Sequence, residues 1–346
     1  MRRNLLFTIF AILSLLIVGC ASNSDNSTTK SDGTSTEGKK SEEDTVLQYQ
    51  GAPGSVSYPE LAEALGYFGD VKLDNIGAGS GGPEAIQLTG TGETDFGAAF
   101  NGATIKAISK GAKLVNVVGS YGSDENTYMG VYTLEESGIT TAKDLIGKKI
   151  GVNTLGAHAE FVIKDYLRQG GLTDKEIEEV QLVTIPMSNA EQTLRNKQLD
   201  AVQLGGVARD LALERGGVQE LFKDIDVFGT KFTAGAYFFT EDFIKNNPET
   251  VRTFVDGVAK AIEWAREKPR EEVIAKYEEI VNSREGNEPT ENLKFYQSTG
   301  IAEKGGVIVD KEFQVWIDWL VKNGELKEGE IKATDLYTNE FNSFAK

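Results

Sequence analysis

The sequence predicts an α/β protein folded as two lobes joined by two crossings. Three observations predict it. Short strand-like runs alternate with single helix-like runs from residue 46 onward, the order that builds βαβ units and open sheets. The alternation restarts near residue 127, as though a second sheet began there. After residue 240 the pattern becomes helical only. About 300 residues lie beyond Thr45, enough for two cores.

The first block opens with VLQYQ (46–50), a loop, and the helix-like YPELAEALGYF. VKLDNI (71–76) leads through a glycine-rich turn into PEAIQLTG, and TDFGAAF (94–100) leads into GATIKAISKGA. KLVNVVGSY follows as a further strand. Single helices between strands predict parallel pairing, with right-handed crossovers placing helices on both faces. The second block holds TYMGVYTL (127–134), a short helix and strand in TTAKDLIGKKIGVNT, and AHAEFVIKDYLRQGG. The last has Phe161, Val162, Ile163, Tyr166 and Leu167 near helical spacing and a Gly170-Gly171 stop. VQLVTI, NAEQTLRNKQ and LDAVQL give another βαβ unit, and GGVARDLALERGG is helical between glycine pairs.

AGAYFFT (234–240) reads as a returning strand. In the helix that follows, Val251, Phe254, Val255, Val258 and Ile262 repeat at three- and four-residue steps, so one stripe is buried. Pro248 starts that helix and Pro269 stops it. PREEVIAKYEEIVN, ENLKFYQST and KEFQVWIDWLVKNG are predicted as further helices. Phe313, Trp316 and Trp319 are spaced three apart and share a helix face, which points to core rather than to a ligand cage. Strand-like crossings near 121–128 and 229–236 mark a hinge. The predicted division is 46–125 with 232–346 as one lobe and 126–231 as the other. Clefts between lobes are where small ligands bind.

The N-terminus reads as an export segment. Arg2 and Arg3 precede an apolar run of 14 residues, Leu5 to Val18. A membrane span needs about 20, so the run fits a signal peptide over residues 1–19. Ile17-Val18-Gly19-Cys20 resembles a lipobox, which implies cleavage before Cys20 and a lipid on its sulfur. Cys20 is the only cysteine, so no intrachain disulfide can form. Residues 20–45 carry few apolar side chains and are expected to be a disordered leash. The expected location is outside the cytoplasm, anchored to the cell membrane through that lipid.

Composition excludes several functions. The chain has 36 basic and 53 acidic residues, a net charge of −17. Nucleic-acid binding needs a basic surface. A metal site needs several ligands at close spacing, and there is one histidine, His158.

Two loop-to-helix junctions carry the candidate chemistry. Gly77-Ala78-Gly79-Ser80-Gly81-Gly82 matches G-x-G-x-x-G. It follows the second strand rather than the first, Pro83 comes directly after it, and no acid ends a strand about 20 residues on; a dinucleotide site needs these features. What remains is a turn where backbone amides approach a ligand, with Ser80 as a helix cap. Residues 153–158, NTLGAH, repeat that design. No lysine follows Gly156, which excludes a Walker loop. His158 lacks a neighbouring nucleophile of the G-x-S-x-G type, so ligand contact or structural capping is expected of it rather than catalysis. The predicted cleft loops, 51–57, 77–83, 100–103, 120–127 and 153–158, contain no Lys or Arg. An anionic ligand would depend on helix starts, each worth about 0.3–1 kcal/mol. A neutral or zwitterionic ligand stacked on an aromatic ring fits equally.

Taken in order, ETDFG (93–97), TAKDLIGKKIGV (141–152), GAHAEF (156–161), QLDAV (198–202) and TEDFIKNNPE (240–249) resemble the sulfonate/nitrate/taurine substrate-binding proteins of ABC importers, a group that includes pyrimidine-synthase-like domains. The resemblance spans nearly all of 46–270. It implies a type II periplasmic-binding-protein fold, a small organic or oxyanion solute, permease and ATPase partners, and no cofactor. Sulfonate-binding members often carry Trp-Asp-Pro where this chain has Gly205-Gly206-Val207, so a bulky wall and a carboxylate are missing. The implied ligand contacts are Ser55, Ser80, Gly81, Gly82, Phe100 and Asn101 from the first lobe. Thr154, Gly156, Ala157 and His158 come from the second, with Tyr121 and Tyr237 near the crossings. A monomer is expected. The alternatives are a pyrimidine-synthase-like enzyme, against which the absence of any cysteine after Cys20 argues, and a ligand-sensing lipoprotein.

Overall fold

The computed structural model describes residues 43–345; the predicted signal peptide, Cys20 and most of the predicted leash lie outside them. In chain order the elements are β1 (Val46–Gly51), α1 (Tyr58–Ala64), β2 (Lys72–Ala78), α2 (Gly82–Thr91), β3 (Phe96–Phe100), α3 (Asn101–Ser109) and β4 (Leu114–Ser123). Next come β5 (Met129–Leu134), β6 (Lys149–Val152), α4 (His158–Gln169), α5 (Asp174–Glu179), β7 (Gln181–Thr184), α6 (Ala190–Arg195), β8 (Ala201–Gly205), α7 (Gly206–Arg215), β9 (Val218–Lys223) and α8 (Asp224–Phe228). The chain returns through β10 (Phe232–Thr240) and ends in α9 (Glu241–Asn246), α10 (Pro248–Glu267), α11 (Arg270–Ser283) and α12 (Asp310–Lys322).

Two α/β lobes result. In the first, β1 pairs parallel with β2, and β3 and β4 flank β10. In the second, five strands run in the order β7-β6-β8-β5-β9. Pairing departs from the all-parallel expectation. β10 runs antiparallel to both β3 and β4, and β5 runs antiparallel to both β8 and β9. Only the pairs joined through helices, β1 with β2 and β6 with β7 and β8, are parallel. Strands that enter or leave a lobe at a crossing arrive from the opposite end, which reverses their direction in the sheet.

The α10 stripe is buried as its spacing predicts, with Val251, Phe254, Val255, Val258 and Ile262 at zero exposure against β1, α1 and β10 side chains. Trp316 and Trp319 are core residues. ENLKFYQST does not form a helix; it has one 3-10 turn, Leu293–Phe295, in otherwise irregular chain. Its one Pro-flanked, charged stretch has no continuous apolar stripe to bury. Residues before the expected Val46 also join the fold. Glu43 accepts the Glu249 and Thr250 amides at 3.0 and 2.9 Å, placing a carboxylate on the positive start of α10. The Lys72 amide donates to the Thr45 carbonyl at 2.8 Å. None of the described helices is long and apolar enough to cross a membrane.

Candidate functional site

A cleft of about 360 Å³ opens where the chain leaves β4 for the second lobe. From the first lobe it is lined by Gly82, Pro83, Ala98, Ala99, Phe100 and Ala103. The crossing adds Tyr121, Gly122, Ser123, Thr127, Tyr128 and Met129, and the second lobe adds Asn153, Thr154, Ala157, His158, Ala159, Gln203 and Gly205. No lining residue is Lys, Arg, Asp or Glu. The volume suits a small solute.

Four helices, α2, α3, α4 and α7, begin at this cleft, and their N-caps Gly81, Phe100, Ala157 and Gly205 make no side-chain capping bond. Helix starts without caps leave amide donors for a ligand. In α2 and α4 the glutamate in the first turn reaches back beyond the helix. Glu84 accepts from the Ser80 amide and Ser80 Oγ, both at 2.6 Å, and Glu160 accepts from the Gly156 amide at 2.7 Å. The repeated design read in the sequence is therefore real, but it consumes the Ser80 and Gly156 amides. Ser80 is not the cap of α2; its hydroxyl is held by Glu84 because Gly81, at φ 139°, turns the chain between them.

His158 is the first residue of α4 and is held by packing. Its ring stacks on Phe100 at 5.4 Å and 19°, and meets Phe232 and Trp316 edge-on at 5.7 and 6.2 Å. Nε2 lies 3.4 Å from Asp224 Oδ2. Asp224 has zero exposure. It accepts from Ser123 Oγ at 2.6 Å, the Met129 amide at 3.2 Å and the Ile225 amide at 2.7 Å. Burial pushes the imidazole down to about 4 and the carboxyl up to about 6. At neutral pH the pair is a neutral ring beside a carboxylate. Ser123 donates to Asp224 rather than to the ring, so the order of contacts is hydroxyl–carboxylate–imidazole. A nucleophile triad needs the imidazole in the middle.

The structure gathers some predicted residues and separates others. Gly82, Phe100, Tyr121, Thr154, Ala157 and His158 line the cleft. Ser55, Gly81 and Tyr237 line an adjoining cavity of about 270 Å³ that shares Gly82 and Ala98 with it. Tyr237 is 5 % exposed and packs edge-on against Phe96 and Phe254 in the first-lobe core. Asn101 is 1 % exposed, its Nδ2 donating to the Thr233 carbonyl at 3.2 Å. Gly156 and Ser80 serve the turns just described and line neither cavity.

Sequence reasoning missed Tyr128, Gln203 and Asp224. Gln203 had a readable signal: an amide at the centre of the apolar strand AVQLG, two residues before its terminal glycine. Its Oε1 accepts the Asn153 amide at 3.2 Å. Tyr128 is seated by the Arg209 guanidinium, 4.1 Å from its ring centre, and by a bond from its hydroxyl to Glu220 at 3.0 Å. Among the described residues no group of three or more His, Cys, Asp or Glu is placed to hold a metal ion.

Two α/β lobes with a ligand-sized cleft at converging helix starts define the type II periplasmic-binding-protein class. The alkanesulfonate-binding protein of Xanthomonas axonopodis pv. citri, solved with MOPS, shares the fold with a TM-score of 0.67 at 16 % identity, over 86 % of this chain and 99 % of that one. Residues 60–272 match the NMT1/THI5-like family, and the chain belongs to it. A provisionally named binding protein of Brucella abortus (strain 2308) is 26 % identical over 193 residues, 56 % of this chain and 57 % of the relative. The match thus spans a little over half of that relative's length. The 4-amino-5-hydroxymethyl-2-methylpyrimidine phosphate synthase of Candida albicans (strain WO-1) is 25 % identical over 238 residues, 65 % of this chain and 68 % of the enzyme.

Proposed function

We propose that this chain is an extracytoplasmic solute-binding lipoprotein that captures a small organic or oxyanion solute and delivers it to an ABC importer. Residues 46–125 and 232–346 form one lobe and 126–231 the other; the lobes close on the solute about the two crossings, a hinge motion biased by contacts made only in the shut state. The observation that carries the function is the cleft itself. It is uncharged, faced by aromatic rings and amide or hydroxyl side chains, and surrounded by four helix starts without side-chain caps. Its polar groups are arranged to hold a molecule. The contact order around Asp224 leaves Ser123 unactivated, which supports binding over acyl-transfer chemistry.

Phe100, Tyr121 and Tyr128 supply stacking surface. Asn153, Thr154 and Gln203 supply polar contacts. The amides at Gly82, Ala157 and His158 supply donors. Cys20 carries the lipid, and the chain acts as a monomer with permease and ATPase partners. Mass spectrometry of the solute that co-purifies with the protein, followed by calorimetry with that compound and with sulfonates, nitrate and aminopyrimidines, tests the proposal. Saturable heat at one-to-one stoichiometry is expected. Turnover of a pyrimidine precursor by the purified protein would replace the proposal with the synthase alternative.

A further inference from the structure

The geometry assigns to Asp224 the role of a positioning residue that fixes the tautomer of His158, so that the ring presents a hydrogen-bond acceptor to the cleft and the solute class is one that offers an N–H or O–H donor there. This rests on the solute-binding function proposed above and sharpens it.

The assignment follows from four observations. Asp224 is completely buried and every contact to its carboxylate is a donor: Ser123 Oγ, the Met129 amide and the Ile225 amide. An acceptor-only carboxylate demands a proton on any nitrogen facing it. The nitrogen that faces it is Nε2, at 3.4 Å, and Nε2 has no accessible surface and no other partner. The separation is that of an electrostatic contact rather than an aligned hydrogen bond, but it is enough to decide which nitrogen is protonated. Phe100 stacks on one face of the ring, and Phe232 and Trp316 meet it edge-on, which fixes the plane of the ring.

With the proton on Nε2, Nδ1 carries a lone pair. No described residue bonds Nδ1, and it is not among the polar atoms buried without a partner; the ring keeps 13 % exposure and lines the cleft. A carboxylate behind an imidazole also raises the basicity of the far nitrogen, the same arrangement that tunes histidine ligands in metal sites. Burial opposes protonation of that nitrogen and holds the ring neutral, so its lone pair stays free. A bare oxyanion such as nitrate would set its own lone pairs against Nδ1. An amine, amide or hydroxyl on the solute would satisfy it.

The test uses the full chain, and its single histidine makes the readout specific. Protein labelled with ¹⁵N-histidine, prepared without a histidine tag, is examined at pH 7 by long-range ¹H–¹⁵N correlation. A neutral ring protonated at Nε2 is expected. A ring protonated at Nδ1, or an imidazolium, overturns the assignment. Asp224→Asn, which removes the charge, is expected to let the tautomers mix, and Asp224→Glu to restore the Nε2–H form; a structural role alone would not move the tautomer. Two matched pairs probe the solute class: taurine against ethanesulfonate, and 2-aminopyrimidine against pyrimidine. In any pair that binds, the donor-bearing member is expected to bind about tenfold tighter and to shift the Nδ1 resonance. Equal binding within a pair overturns the donor requirement. Silence from all four probes with the Nε2–H form present supports the positioning role and counts against sulfonate and pyrimidine ligands.

Discussion

The Tyr121 ring lies across Gly235, its partner on the neighbouring strand. β4 and β10 are the strands that run to the two crossings, and these residues stand opposite each other in the antiparallel register. A Cβ built at Gly235 would stand 2.2 Å from Tyr121 Cε1 and 2.6 Å from the Ala99 carbonyl. The missing side chain is what lets the tyrosine lie flat at the cleft, where it stays 39 % exposed. Gly235→Ala must push the ring into the cleft or part the strands. A stability loss of about 1–3 kcal/mol and at least tenfold weaker binding of the co-purifying solute are expected, measured by urea titration and calorimetry. Unchanged affinity in the variant would remove Tyr121 from the binding surface.

Glu312 on α12 holds the second crossing from the other side. It is 3 % exposed, and its Oε1 accepts the Thr233 amide at 3.1 Å while Oε2 has no partner. Burial raises its carboxyl to about 7. The folded state therefore holds a proton that the unfolded chain releases near 4.5, so this group's contribution to stability is full below 4.5 and is lost as pH rises through about 7. Glu312→Gln keeps the acceptor and removes the charge. At pH 8 it should be more stable than the parent by about 1–3 kcal/mol, with the difference gone at pH 4.5. Thermal melts at the two pH values check this; a variant less stable at pH 8 would contradict the sign.

Much of the frame was legible in the sequence because it rests on periodicity. The α10 stripe, the restart after residue 127 and the glycine junctions before α2 and α4 depend on local spacing, which one strand of text displays. Strand direction was not legible. Whether β10 pairs parallel or antiparallel depends on which end of the lobe the returning chain enters, and residues 234–240 read the same either way. The lining of the cleft was legible where a junction made it, at Gly82, Thr154, Ala157 and His158. It was hidden where distant segments meet. Asp224 lies 66 positions from His158 in the numbering, and nothing in DIDVF announces a carboxylate buried under an imidazole. Asn101 and Tyr237 stand outside this cleft, in a core bond and a core stack, and a polar or aromatic residue beside a glycine reads the same in either setting.

The two lobes also touch behind the cleft. Phe161 of α4 stacks on Trp319 of α12 with ring centres 3.8 Å apart and planes 20° apart. Both side chains are buried, and Arg168 of α4 donates to Asn323 Oδ1 at 2.5 Å beside them. Trp319→Ala removes the largest piece of this contact and should cost about 3–5 kcal/mol. Because the contact joins the lobes, urea unfolding followed by tryptophan fluorescence and by circular dichroism should separate into two steps in the variant. Coincident transitions at the parent midpoint would show that the stack does not couple them.

Arg209 secures the first crossing through a buried charge. Its side chain is 5 % exposed; Nε donates to Asp210 Oδ1 at 2.7 Å, Nη2 donates to the Asn126 carbonyl at 3.1 Å, and the guanidinium covers the Tyr128 ring. Removing one member of a buried pair strands the other charge, which costs more than the pair itself is worth. Arg209→Ala should therefore lose about 3–5 kcal/mol, and Arg209→Met with Asp210→Asn should recover a large part of that loss by removing both charges. Affinity should behave differently. Both variants take the guanidinium off the Tyr128 ring and off the Asn126 carbonyl, leaving Lys223 Nζ, 4.8 Å from the ring centre, as the remaining cation, so both should bind the co-purifying solute more weakly, even where the double variant is nearly as stable as the parent. Urea titrations and calorimetry on the parent and these two variants separate the effects: recovered stability with weakened binding is the expected combination, and recovered binding would mean that Tyr128 needs no support from Arg209.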